Sequence, residues 1–141
     1  QPSRSGILCA GHQVLSGADL AGLSQLPSLV FFNACEAGRI RGGAPRAKTE
    51  PTPRERIEQN VGLAEAFLRG GAANYIGTYW PVGDAAAKVF AEVFYGQIMQ
   101  GKSLGEATLA ARQAVQKIKS VDWADYILYG SPEFVVKAKH D

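Results

Sequence analysis

The chain has 141 residues, of which 46% are hydrophobic and 20% are charged, and its formal net charge is +2. This length allows one sizeable core, and the composition excludes a disordered or fibrous chain. The charge is too weakly basic to indicate a nucleic-acid partner, which would require a clustered basic face. No apolar run approaches the roughly 20 residues of a membrane helix, so we expect no membrane partner.

The cysteine and histidine content argues against a disulfide framework and a zinc site. The chain has two cysteines, Cys9 and Cys35, and two histidines, His12 and His140, with no zinc-ligand spacing among them. We therefore predict no metal and no cofactor. The sequence opens with no signal peptide, so reduced thiols in a cytoplasmic protein are expected.

The first half of the chain predicts short apolar strands. Residues 6–10 are apolar and lead into a turn at residues 11–12, after which residues 14–20 form either a second strand or a short helix. Residues 29–32 are apolar at every position, which is typical of a strand buried on both faces of a parallel sheet. We expect this strand at the centre of the sheet.

A basic segment follows, from residue 39 to residue 56. It contains three prolines, two glycines and six Arg or Lys against two Glu, and no periodic apolar face. Loops of this length in compact domains are often functional. We predict an exposed, mobile and protease-sensitive loop.

The second half alternates helices with a strand. Asn60 is predicted to cap a helix that ends at residues 70–71, and residues 73–79 form the next strand, parallel to the first. A second helix is predicted from Asp84. A third is predicted from residue 103, where a Ser-x-x-Glu capping box stands. The alternation indicates an α/β fold in a single domain over residues 1–141.

Cys35 raises the first functional question. It lies two residues beyond the end of the predicted strand 29–32, where open α/β sheets collect ligands and reacting groups. A cysteine there can be a nucleophile, although free cysteines are also common as buried apolar fillers. Cys9, inside an apolar strand, is interpreted as a filler.

Several segments resemble the CHAT family of caspase-like domains, which often follow TPR repeats. The resemblance rests on NACEAG at residues 33–38, the helix and strand LAEAFLRGGAANYIGTYW, WPVGD at residues 80–84, FYGQIMQGKSLGEATLAARQAV, and LYGSPEF near the end. It implies a three-layer sandwich with a central, mostly parallel sheet flanked by helices. On this resemblance the chain is the C-terminal part of such a domain and lacks its N-terminal portion.

The resemblance also implies a cysteine endopeptidase that hydrolyses protein or peptide substrates through a Cys-His dyad, with Cys35 as the nucleophile. The family's base is a His followed by Gly, whereas His12 is followed by Gln13. His12 is therefore interpreted first as a turn histidine and second as the base. We expect the base upstream of Gln1, which would leave the isolated chain inactive.

Four other residues are candidates for substrate binding: Asn33, Glu36, Trp80 and Asp84. Asn33 is neutral where related metacaspases place an acidic pocket residue, and it could instead cap the strand end. Asp84 could be a helix N-cap, and Trp80 could pack in the core instead of lining the cleft. Glu36 is either part of the cleft or a solvated charge.

A non-catalytic CHAT-like scaffold is the alternative function, because the His-Gly pair is absent from this sequence. In either case the parent chain is expected to carry an upstream TPR or partner-sensing module. The two alternatives differ in whether a His-Gly pair precedes Gln1 in the native polypeptide.

Overall fold

A computed structural model describes residues 6–8, 11, 13–33 and 52–137. The elements in these ranges, in chain order, are β1 (Gly6–Leu8), β2 (Val14–Ser16), α1 (Gly17–Ala21), β3 (Leu29–Phe31), α2 (Pro53–Arg69), β4 (Asn74–Thr78), α3 (Asp84–Met99), α4 (Leu104–Lys117), a 3-10 turn (Val121–Ala124) and β5 (Tyr126–Tyr129). Helices and strands alternate, which confirms the mixed α/β class.

Residues 14–20 form both of the elements that their sequence allows. β1 pairs with β2 in an antiparallel hairpin, and α1 begins directly after it. Ser16 is the N-cap of α1, since its hydroxyl oxygen accepts the Asp19 amide and the Asp19 carboxylate accepts the Ser16 amide.

The prediction of a mostly parallel sheet is wrong for the described residues. β3 and β4 are parallel, with Phe31 opposite Ile76, but β4 and β5 are antiparallel, with Thr78 opposite Tyr126. The order β3-β4-β5 makes a small mixed sheet. Only a short 3-10 turn precedes β5, and it returns the chain along β4 in the opposite direction.

Helix α2 begins earlier than its apolar pattern predicted. Its N-cap is Thr52, whose hydroxyl oxygen accepts the Glu55 amide while the Glu55 carboxylate accepts the Thr52 amide, and Pro53 occupies the first turn. The last four residues of the basic segment 39–56 are therefore helical. Asn60 lies within the helix, so its assignment as the cap is wrong.

Helices α3 and α4 agree closely with the sequence pattern. The predicted Ser103–Glu106 capping box is present at the start of α4. Gly101, between the two helices, has φ of +79°, a conformation that glycine adopts without steric penalty. The buried positions of both helices recur at three-to-four spacing: Ala86, Ala87, Phe90, Phe94 and Ile98, then Leu104, Ala107, Thr108, Ala111 and Val115.

The core lies on both faces of the sheet, because neighbouring strand residues point to opposite sides. Ile76 packs with the buried residues of α3 and α4, and Phe90 stacks on Tyr126 with ring centroids 3.6 Å apart. Tyr75 packs instead with Leu20 of α1 and Phe67 of α2. The sheet is thus covered by helices on each side, and its strand ends remain as the places for a site.

Candidate active site at the carboxyl edge of the sheet

The candidate site lies where β3 and β4 both end, which we call the carboxyl edge. The parallel register pairs Leu29 with Asn74 and ends with Phe31 opposite Ile76, and Asn33 and Thr78 each follow two residues after that last pair. Cys35 follows Asn33 by two residues, and Trp80 follows Thr78 by two residues. Cys35, Glu36 and His12 lie outside the described residues, so their predicted roles stay predictions.

Asn33 is fixed by two partners from different elements. Its side-chain N–H donates to the Ala87 carbonyl oxygen of α3 at 3.1 Å, and its side-chain oxygen accepts the Tyr126 hydroxyl of β5 at 2.8 Å. Tyr126 is fully buried. The Asn33 amide therefore holds the chain two residues before Cys35, while its predicted contact with substrate stays a prediction.

The segment after β4, residues 79–83, is called the Trp80 loop. Trp80 is 37% exposed at this edge, whereas Val82 in the same loop is 1% exposed. Asn60 of α2 donates its side-chain N–H to the Tyr79 carbonyl oxygen at 2.9 Å. The loop is therefore anchored in the protein while the Trp80 side chain stays partly accessible.

Asp125 holds the start of the Trp80 loop from the other side. Its Oδ1 accepts the backbone N–H groups of Tyr79 at 2.5 Å and Trp80 at 2.9 Å. Burial, and to a smaller extent the neighbouring charge of Asp122, raise the pKa of Asp125 to about 6, although the two backbone N–H groups act in the opposite direction. This carboxyl group is fully buried, and its Oδ2 has no hydrogen-bond partner within the described part of the chain.

Asp122 holds the end of the same loop. Its Oδ2 accepts the Gly83 backbone N–H at 3.1 Å, and its Oδ1 accepts the indole N–H of Trp80 at 3.4 Å. The Ser120 hydroxyl oxygen accepts the Asp122 amide at 3.2 Å and fixes the start of the 3-10 turn, which contains Asp122 and is followed directly by Asp125. The indole of Trp80 is therefore oriented by a carboxylate as well as by its backbone.

Asp84 is the first residue of α3, and the N-cap position belongs to Gly83, which has no side chain to act as a cap. The N-cap interpretation of Asp84 is therefore wrong. A carboxylate in the first turn still interacts favourably with the helix dipole. Its predicted role in substrate binding stays a prediction.

Sequence reasoning missed Asn60, Asp122 and Asp125. Asn60 acts on a carbonyl 19 residues away, and the two aspartates act on amides 39 to 46 residues away. The one available signal was the pair of aspartates on either side of Trp123, close to the LYGSPEF motif. Local sequence patterns do not show which distant backbone N–H groups would donate hydrogen bonds to these two aspartates.

A small depression, which encloses a cavity of about 10 Å³, lies on the α2 side of the sheet. It is lined by Asn60, Val61, Ala64, Tyr75, Gly77, Thr78, Tyr79, Ile127 and Tyr129. Burial raises the pKa of Tyr129 to about 12, so this phenol stays protonated at neutral pH. The volume of the cavity is at the lower limit for a single water molecule, and we assign no ligand to the depression.

Two further properties of the described ranges bear on partners. None of their helices combines the length and the apolar character needed to cross a membrane. Within the same ranges, no three His, Cys, Asp or Glu side chains come together as a metal site would require.

Comparison with known proteins gives a consistent family assignment. Tetratricopeptide repeat protein 28 from Homo sapiens is 35% identical over 75 residues, which is 50% of this chain and 3% of that protein. The Mus musculus protein of the same name is 30% identical over 122 residues, which is 84% of this chain and 4% of that protein. No solved structure matches the chain significantly. The family model described as the CHAT domain matches residues 1–131, and the chain therefore belongs to the CHAT domain family.

Proposed function

We propose that this chain is the cysteine-bearing part of a caspase-like endopeptidase domain, with Cys35 as the nucleophile. The observation that carries the proposal is the anchored Asn33, which holds the β3 end two residues before Cys35 at the edge it shares with β4. Open α/β sheets bind ligands at this edge. Membership of the CHAT family, which is related to caspase-like peptidases, points in the same direction.

The chemistry needs a thiolate at Cys35, since the thiolate is the form that attacks a peptide carbonyl efficiently. The sulfur forms a bond to the carbonyl carbon, and its proton passes to a basic imidazole. The imidazole then returns a proton to the leaving amine as the peptide bond breaks, and water hydrolyses the thioester. The Cys35 backbone N–H is the proposed donor to the developing oxyanion.

The base is proposed to come from a segment upstream of Gln1, in a His-Gly pair of the kind the family uses. His12 is the second candidate, although it is followed by Gln13. With the base elsewhere, the isolated chain would have no appreciable activity. A TPR module in the parent chain is proposed as well, because both relatives are named for tetratricopeptide repeats and this chain spans only 3% and 4% of their length.

Substrate binding is proposed to involve the surface between the two strand ends. Trp80 supplies an exposed aromatic wall, Asp84 a carboxylate at the start of α3, and Glu36 a second carboxylate next to Cys35. Asn33 is neutral and its side-chain oxygen is already engaged by Tyr126. A strict preference for Arg or Lys at the cleaved bond is therefore not expected from Asn33.

The test is cleavage of a diverse peptide mixture by the longest native form of the protein, with new termini identified by mass spectrometry. Cys35→Ala should abolish the cuts, whereas Cys9→Ala, a matched change at the other cysteine, should leave them in place. The 141-residue chain alone should cut nothing if the base lies upstream. Cuts that persist in Cys35→Ala would refute the assignment.

A non-catalytic scaffold is the second candidate, favoured by the Gln13 that follows His12 in place of Gly. It would be supported if the native form cuts no peptide and its sequence holds no His-Gly pair upstream. Binding of a protein partner that is unaffected by Cys35→Ala would then be the expected behaviour.

A further inference from the structure

The Trp80 loop is held more firmly than a connection between a strand and a helix requires. Asn60 binds its first carbonyl oxygen, Asp125 binds its first two backbone N–H groups, and Asp122 binds the Gly83 N–H. These contacts come from two separate regions of the chain, α2 and the 3-10 turn before β5. Little freedom remains for the backbone of the loop.

The contacts also fix one particular side chain. Trp80 donates its backbone N–H to Asp125 at 2.9 Å and its indole N–H to Asp122 at 3.4 Å. Two carboxylates, one in the 3-10 turn and one directly after it, therefore determine where the residue lies and how its ring is oriented. The ring nevertheless remains 37% exposed, so it has not been placed there to fill the core.

The arrangement is costly in stability. Asp125 is fully buried and only one of its oxygens is paired within the described ranges. A buried carboxylate that lacks partners disfavours folding, and such groups are often retained where a site needs them. A loop that served only to connect β4 to α3 would not need a buried charge.

The position of Trp80 suggests what the arrangement serves. Trp80 stands two residues beyond Thr78, the last residue of β4, and Asn33 stands two residues beyond Phe31, the last residue of β3. Tyr126, which is opposite Thr78, donates its hydroxyl to Asn33 and so links the two strand ends. A peptide lying across the carboxyl edge, as the proposed function requires, would run next to the Trp80 ring. Aromatic rings of fixed orientation make large apolar contacts with little loss of conformational entropy.

We propose that Asp122 and Asp125 are positioning residues that hold Trp80 as a rigid wall of the cleft for an extended peptide. This inference rests on the proposed endopeptidase function for its substrate. Neither aspartate touches the substrate, and both act through Trp80 and its loop.

The first measurement is hydrogen exchange of segment 79–83, followed by mass spectrometry, in the longest native form. Asp122→Ala removes the acceptor of the Gly83 N–H and should accelerate exchange in this segment about fivefold or more, as expected for loss of one hydrogen bond. Asp125→Ala should accelerate it further. Asp125→Asn keeps an Oδ1 acceptor, so exchange in this segment should remain as slow as in the wild type. Glu133→Ala, at an exposed acidic residue outside the loop, is the control and should change nothing.

The second measurement is peptide cleavage by the same variants. Asp122→Ala should raise KM about fivefold with kcat within about twofold of wild type, because a binding contact is loosened and the nucleophile is untouched. A general structural defect would instead lower kcat and the amount of folded enzyme. Asp122→Ala is the decisive variant, since its hydrogen bonds lie near the surface and it should fold even if Asp125→Ala does not.

The outcomes separate the two proposals. Unchanged exchange in Asp122→Ala would overturn the positioning role whatever the activity. Faster exchange with an unchanged KM would show that the loop is held but that Trp80 does not bind peptide, which also overturns it. If the wild-type form cleaves nothing, both the proposed endopeptidase function and the proposed role of Trp80 in peptide binding are refuted. The exchange result then still decides whether the aspartates hold the loop.

Discussion

At the amino edge of the sheet, where β3 and β4 begin, Asn74 is 1% exposed and both ends of its side-chain amide are paired. Its N–H donates to the Ser28 carbonyl oxygen at 3.1 Å and its oxygen accepts the Ser131 N–H at 2.9 Å. At the carboxyl edge, Thr78 and Asp125 are similarly buried, yet each has an oxygen with no partner among the described residues. The amino edge is therefore stabilised by fully paired polar groups. The carboxyl edge loses stability through its unpaired buried oxygens, as functional sites commonly do.

The largest expected effect is at the amino edge. Asn74→Ala removes both hydrogen bonds of a buried side chain and leaves a cavity in its place, and it should lower the free energy of unfolding by about 3 kcal/mol. Urea denaturation measures this change. Asn33→Ala, at the half-buried asparagine of the carboxyl edge, should cost about half as much. An equal or larger cost at Asn33 would contradict the comparison.

The second prediction concerns Asp125 and pH. Because burial raises its pKa from 3.8 to about 6, the folded chain holds this proton more tightly than the unfolded chain does. Its contribution to stability is therefore complete below about pH 4, falls as the pH rises to about 6, and is constant above that. At about 1.4 kcal/mol per pH unit, the total loss is about 3 kcal/mol at most, and about 2 kcal/mol is a realistic expectation.

Asp125→Asn should remove this pH dependence. The difference in free energy of unfolding between wild type and Asp125→Asn, measured by urea denaturation from pH 4 to pH 7, should fall with rising pH. The capping carboxylates Asp19, Glu55 and Glu106, whose pKa values are lowered by their hydrogen bonds, act in the opposite direction in both proteins and cancel in the difference. Parallel curves for the two proteins would contradict the assignment.

The smallest effect separates two equally buried threonines. Thr78 and Thr108 are each 6% exposed, but the Thr108 hydroxyl donates to the Leu104 carbonyl oxygen at 2.6 Å and the Thr78 hydroxyl has no described partner. Thr78→Val should therefore raise the free energy of unfolding by up to about 1 kcal/mol, and Thr108→Val should lower it by about 1 kcal/mol. If both substitutions changed the free energy of unfolding in the same direction, the proposed difference between the two threonines would be contradicted.

The sequence predicts best what is decided locally. The apolar spacing of α3 and α4 and the Ser103–Glu106 capping box all involve residues within a few positions of one another. The start of α2 was missed for a related reason, because its Thr52–Glu55 box lies in a run of prolines and charges that has no apolar face. Local sequence patterns therefore predict helices correctly, except where a segment rich in proline and charged residues hides the start of the helix.

What the sequence could not show depends on residues far apart. The direction of β5 is set by its pairing with β4, and nothing in the letters YILY distinguishes a parallel from an antiparallel edge. The same holds for Asp125, whose two N–H partners are 45 and 46 residues away. At the site, the apolar run at residues 29–32 predicted the strand that ends before Asn33, while the contacts that hold Asn33 and the Trp80 loop emerged only from the fold.

The end of the described chain has a consequence for the order of synthesis. The first backbone N–H groups of α4, at Leu104 and Gly105, donate to the carbonyl oxygens of Phe134 and Pro132, both at 2.8 Å. Helix starts leave such groups unpaired unless another segment supplies acceptors. During translation, the first two N–H groups of α4 therefore gain these acceptors only after some thirty further residues have been synthesised. Folding of this half of the molecule can be finished only when Phe134 has left the ribosome.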